Sequence, residues 1–185
     1  MKKIYITIVL LVFGATASKA ADSLEIKIGQ MILIGLGDFS TVDQNQPIFQ
    51  ELREGKAGGI ILFEKNLSKK NTEAELKAVL SYSQSQSPIP LFVSIDEEGG
   101  RVTRLKTQYG FPKTVSAEYL GKLDNPDSTR FYAEQRAALL KGLGFNMNFA
   151  PCVDVNVNPN NPVIGKLGRS YSSSEVEVMK HARIV

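Results

Sequence analysis

The chain has 185 residues, of which 43% are hydrophobic and 22% are charged. This composition indicates one globular domain and excludes a low-complexity or disordered chain. The formal net charge of +3 comes from three lysines in the first 20 residues, and the remaining 19 basic and 19 acidic residues balance. The balanced charge gives no electrostatic support for a nucleic-acid partner.

Residues 1–20, MKKIYITIVLLVFGATASKA, have the organisation of a secretory signal peptide. Two lysines precede an apolar stretch, and Ser18-Lys19-Ala20 ends in the small-residue pattern of a cleavage site. The apolar stretch is shorter than the roughly 20 residues that a bilayer requires, so a stable membrane anchor is disfavoured. We therefore expect a cleaved leader at 1–20, a domain at 21–185, and a periplasmic or secreted protein.

Apolar runs alternate with helical patterns along the rest of the chain. The runs at 29–36, 58–66, 88–96 and 146–155 are strand-like, and helices are predicted at 42–54, 72–84 and 126–144 and after the serines at 172–174. For the helix at 126–144, Asp127 or Ser128 is the candidate N-cap and Gly144 marks the end. This alternation predicts a parallel sheet covered by helices.

Two architectures fit this alternation, an open doubly wound sheet and a barrel. No Gly-x-Gly-x-x-Gly or Walker-type loop follows any strand, which disfavours a nucleotide-binding open sheet. Polar residues instead cluster after the third and fourth strands, where barrels build their active sites. Because a complete barrel takes about 250 residues, we expect an α/β fold that is the N-terminal half, about four β/α units, of a TIM (β/α)8 barrel. The chain would then be part of a longer domain.

The segment SIDEEGGRVTRL places several charges at the end of the third strand. Side chains alternate along a strand, so Asp96 and Glu98 should share one direction and Glu97 the other. Arg101 and Arg104 could return over the acids and hold them ionised, which suits binding of ligand hydroxyl groups. We favour ligand contact for Asp96 and Arg104, and a structural ion-pair role for Glu98 and Arg101.

A second polar cluster, PVIGKLGRSY at 162–171, follows the fourth strand. Its proline and glycines predict an irregular loop, and Arg169 in this loop should lie on the same face as Asp96. Asp154, near the end of the fourth strand, is expected to anchor neighbouring loops. The single cysteine, Cys152, excludes an internal disulfide and is predicted to be a buried small hydrophobe.

Five sequence blocks resemble the N-terminal barrel domain of family-three glycoside hydrolases, and more narrowly the bacterial β-N-acetylhexosaminidases of that family. The blocks are KIGQMILIGL, GGIILFEKN, SIDEEGGRVTRL, GFNMNFAPCVDVN and VIGKLGRSY, in this order. The Asp-x-Glu-Gly-Gly-Arg-Val pattern at 96–102 is typical of the hexosaminidase branch. The resemblance extends over nearly all of the chain after the leader.

The resemblance implies a retaining hydrolase that removes terminal N-acetylglucosamine from glycans or peptidoglycan fragments without a metal or organic cofactor. By position, Asp96 would accept hydrogen bonds from hydroxyls of the terminal sugar, Arg104 would lie near the same ring, and Arg169 would help to close the pocket. The only partner it implies is the carbohydrate substrate, and the oligomeric state stays open.

The resemblance also calls for two reacting groups that the sequence does not supply. One is an acid/base histidine in a Lys-His-Phe-Pro-Gly-His-like loop, and the other is an aspartate nucleophile nearer the C-terminus. Lys180-His181 begins like the loop but continues Ala-Arg-Ile-Val, so His181 is predicted to be an ordinary helix residue. No catalytic residue is assigned. An inactive sugar-binding remnant or nonfunctional fragment, and an open-sheet binding protein without glycosidase ancestry, remain as alternatives.

Overall fold

The computed structural model describes residues 23–185, so the predicted signal peptide lies outside the described residues. The elements are α1 (Leu24–Gly29), β1 (Leu33–Gly35), α2 (Pro47–Arg53), β2 (Gly59–Leu62), α3 (Thr72–Gln86), β3 (Phe92–Ile95), α4 (Ala117–Leu123), α5 (Pro126–Leu143), β4 (Met147–Asn148) and α6 (Glu175–Ala182). Single 3-10 turns lie at Glu64–Asn66 and Thr107–Tyr109. Across 23–185, no helix combines the length and hydropathy needed to cross a membrane.

The four strands form one parallel sheet in the order β1-β2-β3-β4. Each crossover connection adds the next strand to the same edge of the sheet, as in the successive strands of a β/α barrel. A doubly wound sheet would instead reverse its strand order at a switch point. The sheet thus confirms the predicted fold class, an α/β arrangement of four units consistent with half of a TIM barrel.

The main hydrophobic core lies between the sheet and the helices that cover it. Strand residues Ile60, Val93 and Ile95 are at most 2% exposed and belong to the same cluster as Phe49 of α2 and Leu76 of α3. Burial of each such side chain contributes about 1.5–3 kcal/mol relative to leaving it in water. The core therefore holds the strand ends, and the polar groups that follow them, in fixed positions.

Helix α5 shows how the local sequence sets an element's limits. Asn125, rather than the predicted Asp127 or Ser128, is the N-cap, and its side chain accepts a hydrogen bond of 3.0 Å from the Ser128 N–H. Pro126 occupies the first helical position, where its fixed φ suits a helix. The Asn125 side chain caps the helix from the position before it. Gly144 ends the helix at a φ of +105°, as predicted.

Two helical predictions are corrected. Helix α2 begins at Pro47 rather than residue 42, because the Asp43 carboxylate accepts hydrogen bonds from the Asn45 backbone and the Gln46 amide and closes a turn first. Helix α4 was not predicted. It is short, and its N-cap is Ser116, whose hydroxyl accepts a 3.1 Å hydrogen bond from Tyr119 within an otherwise polar segment.

Candidate active site

Asp96 lies directly after β3 and forms an ion pair with Arg104. The Nη2–Oδ2 distance is 3.1 Å, and the two side chains are 28% and 25% exposed. The pair is therefore held in a fixed geometry while its outer atoms remain within reach of a ligand. The Arg104 Nε is buried and has no hydrogen-bond partner among residues 23–185.

Glu97 points the opposite way and anchors the segment that carries Arg104. It is 1% exposed, and its carboxylate accepts hydrogen bonds from the Thr103 hydroxyl and from the backbone N–H groups of Arg104 and Leu105, the latter two at 2.8 and 3.1 Å. Asp96 and Glu98 are both only partly buried, a burial pattern that agrees with the predicted alternation. Glu97 was not predicted to have this role, although an acid directed inward at the end of a buried strand needs donors close by.

The glycine pair lets the chain reverse between Glu98 and Arg104. Gly99 and Gly100 have φ values of +95° and +62°, and the N–H of Gly99 donates to the Val102 carbonyl at 3.0 Å. A Cβ on Gly99 would lie 2.4 Å from the Val115 carbonyl oxygen. Glycine is required here both by the left-handed backbone and by the close approach of a second segment.

Glu98 is bound by Arg169 from the loop after β4. The guanidinium donates twice, from Nε to Oε2 at 2.9 Å and from Nη2 to Oε1 at 2.6 Å. This pairing raises the pKa of Arg169 above its ordinary value. The backbone carbonyl of Glu98 accepts a hydrogen bond from Arg136 of α5, whose pKa is lowered because burial disfavours its charge.

The other polar residues singled out in the sequence do not belong to the Asp96–Arg104 or Glu98–Arg169 ion pairs. Arg101 does not cover the acids as it was predicted to be able to do, because its side chain is turned outward and donates to the Lys166 carbonyl. The Cys152 thiol donates to the Asp154 carboxylate at 3.1 Å. Cys152 is only partly buried, which corrects the predicted core position, and that partial burial raises the pKa of the thiol. His181 lies within α6.

The arrangement brings Asp96 and Arg104 into direct contact and ties Arg169 to the same strand end through Glu98, two residues after Asp96. It offers a ligand one fixed carboxylate acceptor and guanidinium donors at its side. An apolar cavity of about 350 Å³ lies between α5 and residues 112–115, but its lining does not include these three residues. Three charged residues line it: Glu97 and Arg136 are already hydrogen-bonded elsewhere, and Lys113 is exposed. The carboxylate–guanidinium pair is therefore the better place for a hydroxyl-rich ligand.

Comparison with known proteins gives a consistent result. Residues 23–184 match the family model described as the glycosyl hydrolase family 3 N terminal domain. Beta-hexosaminidase A of Pseudoalteromonas piscicida is 40% identical over 133 residues, which cover 66% of this chain and 21% of that protein.

Solved structures agree in fold. A glycoside hydrolase family 3 beta-N-acetylglucosaminidase from Paenibacillus sp. str. FPU-7 superposes with a TM-score of 0.77 at 32% identity, over 89% of this chain and 30% of that one. A beta-N-acetylhexosaminidase from Beutenbergia cavernae DSM 12333 gives a TM-score of 0.74 at 27% identity, over 89% and 49%. The chain thus spans less than half the length of each of these proteins.

Proposed function

The chain belongs to the N-terminal domain family of glycosyl hydrolase family 3, and we propose that it forms the sugar-binding part of a β-N-acetylhexosaminidase. The substrate class is glycans with a terminal N-acetylglucosamine, including peptidoglycan fragments. Relatives named as hexosaminidases and N-acetylglucosaminidases support this assignment. Membership of the family removes the alternative of an open-sheet binding protein without glycosidase ancestry.

The observation that carries the proposal is the Asp96–Arg104 pair. In the described residues, the contact to Asp96 uses Oδ2, so Oδ1 can accept a hydrogen bond from a sugar hydroxyl. A hydrogen bond to an ionised carboxylate is shorter and roughly twice as strong as one between neutral groups. Arg104 holds the carboxylate in place and can itself donate to a neighbouring hydroxyl. Arg169, through Glu98, holds the loop after β4 against the same strand end and would close the pocket.

Binding and chemistry are separate demands. A retaining glycosidase requires a carboxylate nucleophile and an acid/base that protonates the leaving group. Asp96 and Glu98 are each paired with an arginine, so both carboxylates already serve as hydrogen-bond acceptors, which is the role that holding a sugar hydroxyl requires. We therefore assign these residues to holding the sugar and assign no reacting group among them.

Calorimetric titration with N-acetylglucosamine tests the binding role. Replacing Asp96 by alanine removes a charge-assisted hydrogen bond and leaves Arg104 without its carboxylate, so affinity should fall by about 2–4 kcal/mol, or about 30–700-fold. Asp154→Ala, which removes an exposed acid in the loop after β4, is the matched control and should bind like the parent. Equal affinities in the parent and Asp96→Ala proteins would return Asp96 to a purely structural role.

A chromogenic N-acetylglucosaminide tests the separation of binding from chemistry. The 185-residue chain should bind N-acetylglucosamine without releasing the chromophore. Clear turnover that survives purification would show that reacting groups are present in these residues after all.

Export to the periplasm or medium is part of the proposal and rests on residues 1–20 alone. Intact-mass measurement of the exported protein should show the loss of about 20 residues, as for a cleaved signal peptide. A mature protein that retains Met1 would contradict it.

A further inference from the structure

Three potential metal ligands meet where α6 packs against the turn between α4 and α5. They are Asp124 at the C-cap of α4, and Glu177 and His181, one turn apart on α6. One ligand atom from each residue lies within 4.8 Å of the other two. The cluster shares no residue with the candidate sugar site.

The His181 ring is fixed on both sides. It is fully buried, stacks on Tyr171 with ring centroids 5.2 Å apart and an interplanar angle of 7°, and places Nδ1 2.8 Å from the Thr129 hydroxyl oxygen. The tautomer that fits these contacts carries its proton on Nδ1, because the hydroxyl donates to the Asn125 carbonyl at 3.3 Å and its oxygen then accepts from Nδ1. In the neutral ring the lone pair is then on Nε2.

The lone pair on Nε2 points into the cluster. Nε2 is buried with no hydrogen-bond partner in the described part of the chain, and the Asp124 Oδ1 lies 3.6 Å from it. A buried acceptor that faces a carboxylate is unfavourable unless a donor or a cation lies between them. Metal-binding histidines have this geometry: one ring nitrogen, here Nδ1, is held by a hydrogen bond, and the other, here Nε2, is free to bind the metal.

We propose that Asp124, Glu177 and His181 form a binding site for a divalent transition-metal ion of the zinc class. One imidazole nitrogen and two carboxylate oxygens, with water as the fourth ligand, match the tetrahedral preference of zinc. The imidazole favours zinc, copper or nickel over magnesium and calcium, which prefer oxygen ligands. A bound ion would fasten α6 to the α4–α5 turn.

Lys180 is the group that the metal must displace. Its ammonium contacts the carboxylates of both Asp124 and Glu177, so it neutralises one of the two negative charges. The side chain is 35% exposed and can turn outward into solvent. Since Lys180 competes for the same oxygens, removing its charge should strengthen metal binding.

The test is calorimetric titration of ZnCl2 into the tag-free full chain, with CoCl2 absorption as a report on tetrahedral coordination. The parent should bind one zinc ion, and Lys180→Gln should bind it more tightly. Asp124→Asn and Glu177→Gln should each lose more affinity than the about 10–100-fold typical of changes outside the ligand set. Glu175→Gln, exposed in the first turn of the same helix, is the matched control and should bind like the parent.

Because His181 is buried and its replacement could unfold the protein, Thr129→Val tests the histidine through its outer hydrogen bond. It should weaken zinc binding about 10–100-fold without abolishing the cooperative thermal transition. Absence of zinc binding in both the parent and Lys180→Gln proteins would overturn the proposal. Equal binding of Mg²⁺ and Zn²⁺, unaffected by Thr129→Val, would also overturn the proposal. The ion would then be held by the two carboxylates alone, with no contribution from His181.

Discussion

The segments that follow β3 and β4 are built in different ways. Residues 96–105 are held from within by the buried Glu97 carboxylate, which accepts three hydrogen bonds. Residues 149–174 contain no helix or strand in the described chain. They are ordered by local turns, such as the Asn161 side chain that accepts from the Val163 and Ile164 N–H groups at 2.9 Å.

The difference separates a part of the site that is anchored by a buried carboxylate from a part that is held by local turns. The first segment belongs to the folded core, so the Asp96–Arg104 pair is in place before any ligand arrives. The second reaches the first mainly through Arg169 and Glu98 and through the Lys166 carbonyl that Arg101 binds. We expect the first to set what is bound and the second to set how tightly the site closes.

The largest expected effect comes from removing the internal anchor. Glu97→Ala would leave two backbone N–H groups and the Thr103 hydroxyl buried without an acceptor, and should lower the free energy of unfolding by about 3–5 kcal/mol. Urea unfolding followed by circular dichroism measures this change.

Glu97→Gln is the informative control for that change. Its amide oxygen still accepts one backbone bond and its NH2 can donate to Thr103, so the loss should be about 1–2 kcal/mol. Glu134→Ala, an exposed acid on α5, should change stability by less than about 0.5 kcal/mol. If Glu97→Ala were as mild as Glu134→Ala, the segment after β3 would be no more firmly held than the one after β4.

A smaller effect is expected where the two segments meet. A double-mutant cycle with Glu98→Gln and Arg169→Met should give a coupling of about 1 kcal/mol, since the pair is doubly hydrogen-bonded and only partly exposed. Limited proteolysis of Arg169→Met should cut within 157–168, where Val157 and Val163 are already 83% and 53% exposed. Protection equal to the parent's would mean that the loop after β4 is rigid without this contact.

The smallest effect concerns a contact between Lys106, which directly follows the first segment, and Glu64, in the 3-10 turn after β2. The Lys106 ammonium lowers the pKa of Glu64 from its ordinary value of 4.5, with a further contribution from the Tyr109 hydroxyl. A lowered pKa means that this pairing stabilises the fold at neutral pH and is lost as the pH falls through the folded-state pKa. Lys106→Met should move the carbon-detected NMR titration of Glu64 toward 4.5. An unchanged titration would assign the shift to Tyr109 instead.

Sequence reasoning succeeded where polar and apolar residues recur with one regular period. The strand–helix alternation gave the four units, and the alternation of side chains separated the buried Glu97 from the partly buried Asp96 and Glu98. It failed where a side chain acts through one specific contact. The Glu97 carboxylate binds groups six to eight residues further along the chain, Arg169 binds Glu98 71 residues away, and neither contact leaves a periodic pattern. The cap of α5 was misplaced because several adjacent residues can serve as caps, and only the backbone shows that Asn125 does.

The two asparagines that flank Met147 have a consequence for how β4 is aligned. The Asn146 amide accepts from the Val93 N–H and donates to the Leu91 carbonyl, and the Asn148 amide does the same with the N–H and carbonyl of Glu97. Each side chain thus imitates a peptide unit and lengthens a ladder that has only two strand residues of its own. A slip of a single position would break four bonds at once. These two amides therefore fix the register of β4 against β3. They also fix the position from which the chain continues into the loop that carries Arg169.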